Sequence, residues 1–218
     1  MGLIITEDIL RDAFFELSEH PDSYSLWEDL GDIYRERLIT EKARKCYMTA
    51  LEIYRDEAGN DASNPPVFEK FAAAHEKLSK DPVRKAHLEI VSMLSSGVSI
   101  FNLYTEAQRL VSIYPDSHQL LNAHAMICLV CAGESLETLY ADEGMRVCSK
   151  AVVIDPSEPS HCLYLASLYI MLGDPENGSA LLQNARILID ANMPLGIASH
   201  PTDYLEDHFL EVQNELNM

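Results

Sequence analysis

Two segments of the chain, residues 27–50 and 162–185, carry one pattern of large and small side chains at identical offsets. The first reads Trp27, Leu30, Gly31 and Tyr34, then Ala43, Tyr47 and Ala50; the second reads Cys162, Leu165, Ala166 and Tyr169, then Gly178, Leu182 and Ala185. Leu30 and Tyr34, four apart, share one helix face, and Gly31 beside them admits a close neighbour. Ala43 and Ala50 are the matching small contacts on a second helix, with Tyr47 filling the space between them. Each segment therefore predicts a tight antiparallel helix pair. One such hairpin cannot bury its apolar faces alone, so copies must stack.

At these residues the chain resembles the tetratricopeptide repeat family, whose unit runs W-x2-L-G-x2-Y, then A-x3-F and a further A, with Pro near its end. Trp27, Leu30, Gly31, Tyr34, Ala43, Tyr47 and Ala50 match, with Arg55 where Pro is expected. In the later copy Cys162 stands for Trp, Gly178 for the first Ala and Asp190 for Pro. Two degenerate copies fit between. One, set back from Tyr114-Pro115, places His87, Ile90, Val91 and Leu94 on its first helix and Leu103, Ala107 and Leu110 on its second. The other, set back from Ile154-Asp155-Pro156, places Leu121, His124, Ala125 and Cys128, then Gly144, Cys148 and Ala151. His87 and Leu121 lie one unit of about 34 residues apart, whereas the step to Cys162 needs an insertion between Gly133 and Asp142. The resemblance implies an all-α fold, a right-handed α-solenoid of stacked antiparallel helix pairs with N- and C-terminal capping helices.

The expected organisation is one array over 1–218: a capping helix in 1–22, repeat one in 23–58, a loop at 59–66, an extra helix at 67–80, degenerate repeats at 84–116 and 118–157, the last repeat at 159–192 and a capping helix at 201–216. Thr6 can cap the first helix with Glu7 and Asp8 at its positive end, and Ile9, Leu10, Ala13, Phe14 and Leu17 form its docking stripe. Residues 59–66 are dense in turn formers, and the helix after them has no evident pair partner. Asp81-Pro82 and Asp174-Pro175 each set a capping side chain before a proline suited to the first helical position. The stretch from Met193-Pro194 to His200-Pro201 separates the last repeat from a helix with Leu205, Phe209, Val212 and Leu216 on one face, of the kind that seals a solenoid end.

With 35 acidic against 16 basic residues the chain carries a net charge of −19, which opposes binding to nucleic acid or to an anionic bilayer. No apolar run reaches the roughly 20 residues of a membrane span, and the N-terminus lacks the pattern of a secretion signal. The cytoplasm is the expected compartment. Met1-Gly2 with Thr6 fits a loose myristoylation pattern, unsupported by any polybasic stretch. Cys46, Cys128, Cys131, Cys148 and Cys162 fall at helical positions and read as buried thiols, which leaves the sequon at Asn177 without consequence.

Neither a phosphate-binding glycine loop nor H-E-x-x-H occurs. The one metal candidate is His124, Cys128 and Cys131, near one helix face and open to Cys148 or Cys162, but His124 and Cys128 also fall on packing positions. A redox role for Cys128 and Cys131 fails because both sit inside a helix. No catalytic residue, cofactor or metal is expected, and the chain reads as non-enzymatic.

In resembling arrays, fixed positions of each first helix line a concave surface that receives peptides. Carried onto this chain they are Ser25, Glu28, Asp29, Asp32, Arg35 and Glu36 in repeat one; Gln119, Asn122, Ala123, Met126, Leu129 and Val130 in the third; Ser160, Leu163, Tyr164, Ser167, Ile170 and Met171 in the last. The groove so implied runs from an acidic mouth to an apolar floor, suited to a partner protein or peptide with basic residues at one end and apolar anchors at the other. Alternatively, Leu205 and Phe209 of the C-terminal helix, or a second copy of the chain, cover the apolar end. Glu28 and Asp32 would repel the acidic chaperone tails that one branch of the family clamps with Lys and Asn. The functions left open are a scaffold or chaperone-like adaptor, analogous at fold level to type III secretion translocator chaperones, and a self-assembling subunit joined through convex or end surfaces.

Overall fold

The computed structural model describes residues 2–58, 65–135, 137–192, 195–198 and 200–217, with the side chains of 2–8 and 192 outside that set. The expected loop tip at 59–64 and the break at Met193-Pro194 lie outside the described residues. Among those described, every regular element is a helix. The chain divides into two compact units, Met1–Asp81 with Ala191–Ile197, and Pro82–Asp190 with Ala198–Met218.

The first unit holds α1 (Gly2–Glu19), α2 (Tyr24–Glu36), α3 (Thr40–Ala58) and α4 (Pro66–Ser79). Trp27, Leu30, Gly31 and Tyr34 on α2 and Ala43, Cys46, Tyr47 and Ala50 on α3 are all buried against one another. Gly31 explains the closeness of the pair: a Cβ there would stand 2.4 Å from the Tyr47 ring. The Trp27 indole N–H donates to the Pro21 carbonyl at 2.9 Å, which anchors the turn entering α2. On α1, Leu10, Phe14 and Leu17 are buried but Ile9 is 45% exposed, so the docking stripe is narrower than expected. That helix also begins at Gly2, which puts Thr6 inside it rather than at its cap. The expected lone helix α4 is not alone. It packs on α3 through Val67 and Ala74.

The second unit holds α5 (Pro82–Ser95), α6 (Ile100–Ile113), α7 (His118–Ser135), α8 (Thr138–Ile154), α9 (Pro159–Met171), most of α10 (Pro175–Asn192) and α11 (Thr202–Leu216). Leu103, Ala107 and Leu110, then Leu121, His124, Ala125 and Cys128, then Gly144, Cys148 and Ala151 are buried. On α5 the register moves by one residue. Ala86 and Ile90 face inward with Val83 and Met93 beside them, whereas Val91 and Leu94 are 43% and 38% exposed. Setting the unit back from Tyr114-Pro115 assumed a turn length that the α5–α6 connection does not have. Gly133 to Ser135 end α7 and Thr138 to Asp142 open α8, so residues read as an insertion lengthen helices instead. At α10, Asp174 accepts from the Asn177 backbone N–H at 3.2 Å, the capping that Asp-Pro predicts.

Candidate functional site

On α2 the residues not used for packing face outward. Ser25, Asp29, Arg35 and Glu36 are exposed, and Glu28 and Asp32 half-buried. The acidic pair is already engaged: Lys70 of α4 reaches Glu28 at 2.7 Å and Asp32 at 2.5 Å, and the Tyr47 hydroxyl donates to Asp32 at 2.7 Å. Partial burial raises the Asp32 carboxyl, yet the hydrogen bonds from Lys70 and Tyr47, with the charges of Lys70 and Arg35, outweigh it and hold the group below its ordinary value. Lys70 is raised in turn, its partial desolvation overcome by the same two carboxylates. Nothing in the local pattern points to Lys70, because its partners lie some forty residues away on another helix.

In the second unit the α7 positions divide. Gln119, Ala123, Met126 and Leu129 are half-buried and Val130 is exposed, whereas Asn122 is 6% exposed. The Asn122 amide donates to Ser160 Oγ at 3.1 Å, and Ser160 donates to Glu158 Oε1 at 3.1 Å. On α9, Ser160, Leu163, Tyr164 and Ser167 are buried, Ile170 is half-buried and Met171 exposed. Leu163 packs with Leu205 and Val212 of α11 in one cluster, flanked by Phe209. Tyr164 meets the same helix through its hydroxyl, 2.8 Å from that of Tyr204, and its ring, 5.0 Å from His208. Leu163 and Tyr164 are therefore not an open floor. The C-terminal helix covers them, the alternative that the amphipathic pattern of 205–216 had left standing.

The histidine and cysteines that suggested metal chemistry are buried packing groups. His124 is fully buried with its ring 5.4 Å from that of Tyr104, and Cys148 donates to the His161 carbonyl at 3.1 Å. Among the described residues no three His, Cys, Asp or Glu side chains are grouped to hold a metal ion. Burial pushes the Cys46 thiol up to about 12 and the Cys162 thiol to about 11, and pushes Cys128 and Cys148 further in the same direction. Such thiols are poor nucleophiles. Burial likewise lowers His124 to about 4 against the opposing charge of Glu143, so near neutral pH it is an uncharged packing group.

No protein-family model matches the chain, and no curated protein matches it. Among solved structures it is similar to the TPR2AB domain of yeast Sti1 in complex with a pHSP90 peptide, at 16% identity over 94% of this chain and 76% of that one, TM-score 0.46. It is also similar to a tetratricopeptide repeat protein from Parabacteroides merdae, at 14% identity over 99% and 86%, TM-score 0.36. A third similarity, to the assembly chaperone of RpL4, Acl4, has 17% identity over 96% and 81%, TM-score 0.30. Among the described residues the fold is all helical, and α2–α3 is packed as a tetratricopeptide-like hairpin. That pair buries Trp27, Leu30, Gly31, Tyr34, Ala43, Tyr47 and Ala50 as that repeat requires. No described helix is long and apolar enough to cross a membrane.

Proposed function

We propose that the chain is a non-enzymatic protein-interaction module, a scaffold or chaperone-like adaptor that holds a peptide or helical segment of a partner on the outward faces of its first helices. One observation carries the reading. On α2 the repeat residues Trp27, Leu30, Gly31 and Tyr34 turn inward, which leaves Ser25, Asp29, Arg35 and Glu36 exposed beside the half-buried Glu28 and Asp32 that pair with Lys70. Because Glu28 and Asp32 already share Lys70, basic residues of a partner would meet Asp29 and Glu36 first. In the second unit, taken by itself, Met126 and Leu129 on α7 are half-buried and would offer area to apolar anchors without exposing a large sticky patch.

Capture from native lysate, identification by mass spectrometry and titration of the purified partner test this. Asp29→Lys with Glu36→Lys is expected to slow association and weaken its salt dependence. Met126→Ala with Leu129→Ala is expected to weaken binding at least tenfold, with circular dichroism checking that the helices are retained, since both side chains also pack on the core. A partner that binds all three proteins equally removes the proposal. Aspartate at Leu163 would not serve, because that residue is core.

The alternative, self-association, has one observation in its favour. Leu88, Val91 and Leu94 on α5 are 56%, 43% and 38% exposed along one stripe. Light scattering over a concentration series separates the two, since a scaffold stays at constant mass.

A further inference from the structure

We propose that α11 is an exchangeable intramolecular ligand, seated on α9 and α10 in the place of an acidic amphipathic helix from a partner protein. The inference rests on the reading above that first-helix faces take protein segments, and it names the partner's chemistry.

The seat is built from both helices of the last pair. Leu205 and Val212 of α11 are fully buried among Cys162, Leu163, Ala166, Leu182, Ala185 and Ile189, with Phe209 and Leu216 partly buried at the margin. This is a single stripe at i, i+4, i+7 and i+11, the footprint by which a free helix binds a groove. A charge fixes its direction: Arg186 of α10 forks onto both carboxylate oxygens of Glu206, at 2.7 and 2.8 Å, while its guanidinium stands 5.4 Å from the Phe209 ring. The outward side of α11 carries the exposed Asp203, Asp207, Glu211 and Asn214, with Leu210 52% exposed.

One contact is poorly made. His208 lies against Tyr164, and its Nδ1 is buried with no hydrogen-bond partner. Burial lowers its pKa, Glu211 opposing and His200 assisting. A helix with an apolar residue at that place would lose nothing polar on docking and would displace α11. The expected partner segment therefore carries apolar residues at the positions of Leu205, His208, Phe209, Val212 and Leu216, and a carboxylate at that of Glu206.

The experiment uses the full chain and a fluorescent peptide of residues 200–217 bearing His208→Leu. A full-length variant with Leu205→Asp and Val212→Asp frees the seat while leaving its lining intact, and is expected to bind the peptide at least tenfold more tightly than the wild-type chain. Adding Arg186→Glu to that variant is expected to weaken binding at least tenfold, with recovery when the peptide also carries Glu206→Arg. Equal binding by wild-type and freed chains, or indifference to the charge reversal, overturns the proposal. So does a freed chain that dimerises and ignores the peptide, since a second copy would then be the occupant. Should the freed variant unfold, hydrogen exchange on the wild-type chain decides: saturating peptide must speed exchange across 202–216 and leave α7 and α8 protected, and unchanged α11 protection overturns the proposal. Failure here leaves the Met126 and Leu129 titrations untouched, so the two readings fall separately.

Discussion

The α2–α3 and α9–α10 pairs hold equivalent residues at equal offsets, yet they reach close packing by opposite distributions of volume. In the first, Gly31 on the leading helix makes room for the Tyr47 ring of the following one. In the second the leading helix has Ala166 and faces the slimmer Leu182, and the glycine has moved across to Gly178, where a Cβ would stand 2.7 Å from Ile170 and 3.2 Å from the Ala166 carbonyl. What the two pairs share is a glycine at the close approach, supplied by the leading helix in one and the following helix in the other. The outward faces differ more. That of α2 stays wet, whereas that of α9 lies beneath α11 and is nearly dry.

The sharpest way to break this comparison is to add one methyl group. Gly31→Ala should cost about 3 kcal/mol, because an aromatic ring cannot yield as a flexible chain end does. Combined with Tyr47→Leu, which copies the later pair, most of that cost should vanish, leaving the lost hydrogen bond to Asp32. A double-mutant cycle by chemical denaturation measures the coupling, and additive effects would refute the shared-volume account.

Acid should separate the two units next. Within the second, neutral His124 is enclosed by Tyr104 of α6 and feels Glu143 and Arg146 of α8; in the first, no described histidine is buried. Its pKa falls from 6.5 to about 4 on folding, so the unfolded chain binds a proton that the folded one refuses. The penalty is absent above pH 6.5, grows below it and is complete near pH 4, reaching roughly 3 kcal/mol. His124→Met should flatten the acid limb of denaturation curves that report on the second unit.

A smaller effect sits in the turn. Leu38 closes α2 at φ 64, and Gly173 closes α9 at φ 81; in both turns the residue two beyond the last helical turn bonds back, Ile39 to Tyr34 and Asp174 to Tyr169, each at 2.9 Å. A leucine in left-handed conformation is strained, and this one is 75% exposed, so it repays little by burial. Leu38→Gly should stabilise the fold by about 1 kcal/mol, and Gly173→Leu should destabilise it by about the same amount. Smallest is Lys70→Ala, below about 1 kcal/mol because the ion pairs are partly solvated; it should raise the Asp32 pKa in an NMR titration.

The helices and their pairing were legible because they follow from local spacing: a glycine or alanine every few residues beside an aromatic on the same face admits few other folds. The helix-opening Pro82 and Pro175 and the α11 stripe were legible for the same reason. The α5 register was not, since Val91 and Leu94 are as apolar as Ile90 and only the true length of the next turn tells which faces in.

The candidate face was half legible. Sequence placed Glu28, Asn122 and Leu163 on equivalent helix positions, with Asp32 one turn beyond Glu28, but equivalence of position does not settle accessibility. Lys70 pairs with both Glu28 and Asp32 from another helix, Ser160 takes the amide of Asn122, and α11 shuts Leu163 away. The sequence by itself determined which stripe of each helix turns inward, because that is periodicity. Tertiary structure alone decided what lies against the remaining stripe, because such contacts join residues far apart in the chain and depend on distances that no local pattern encodes.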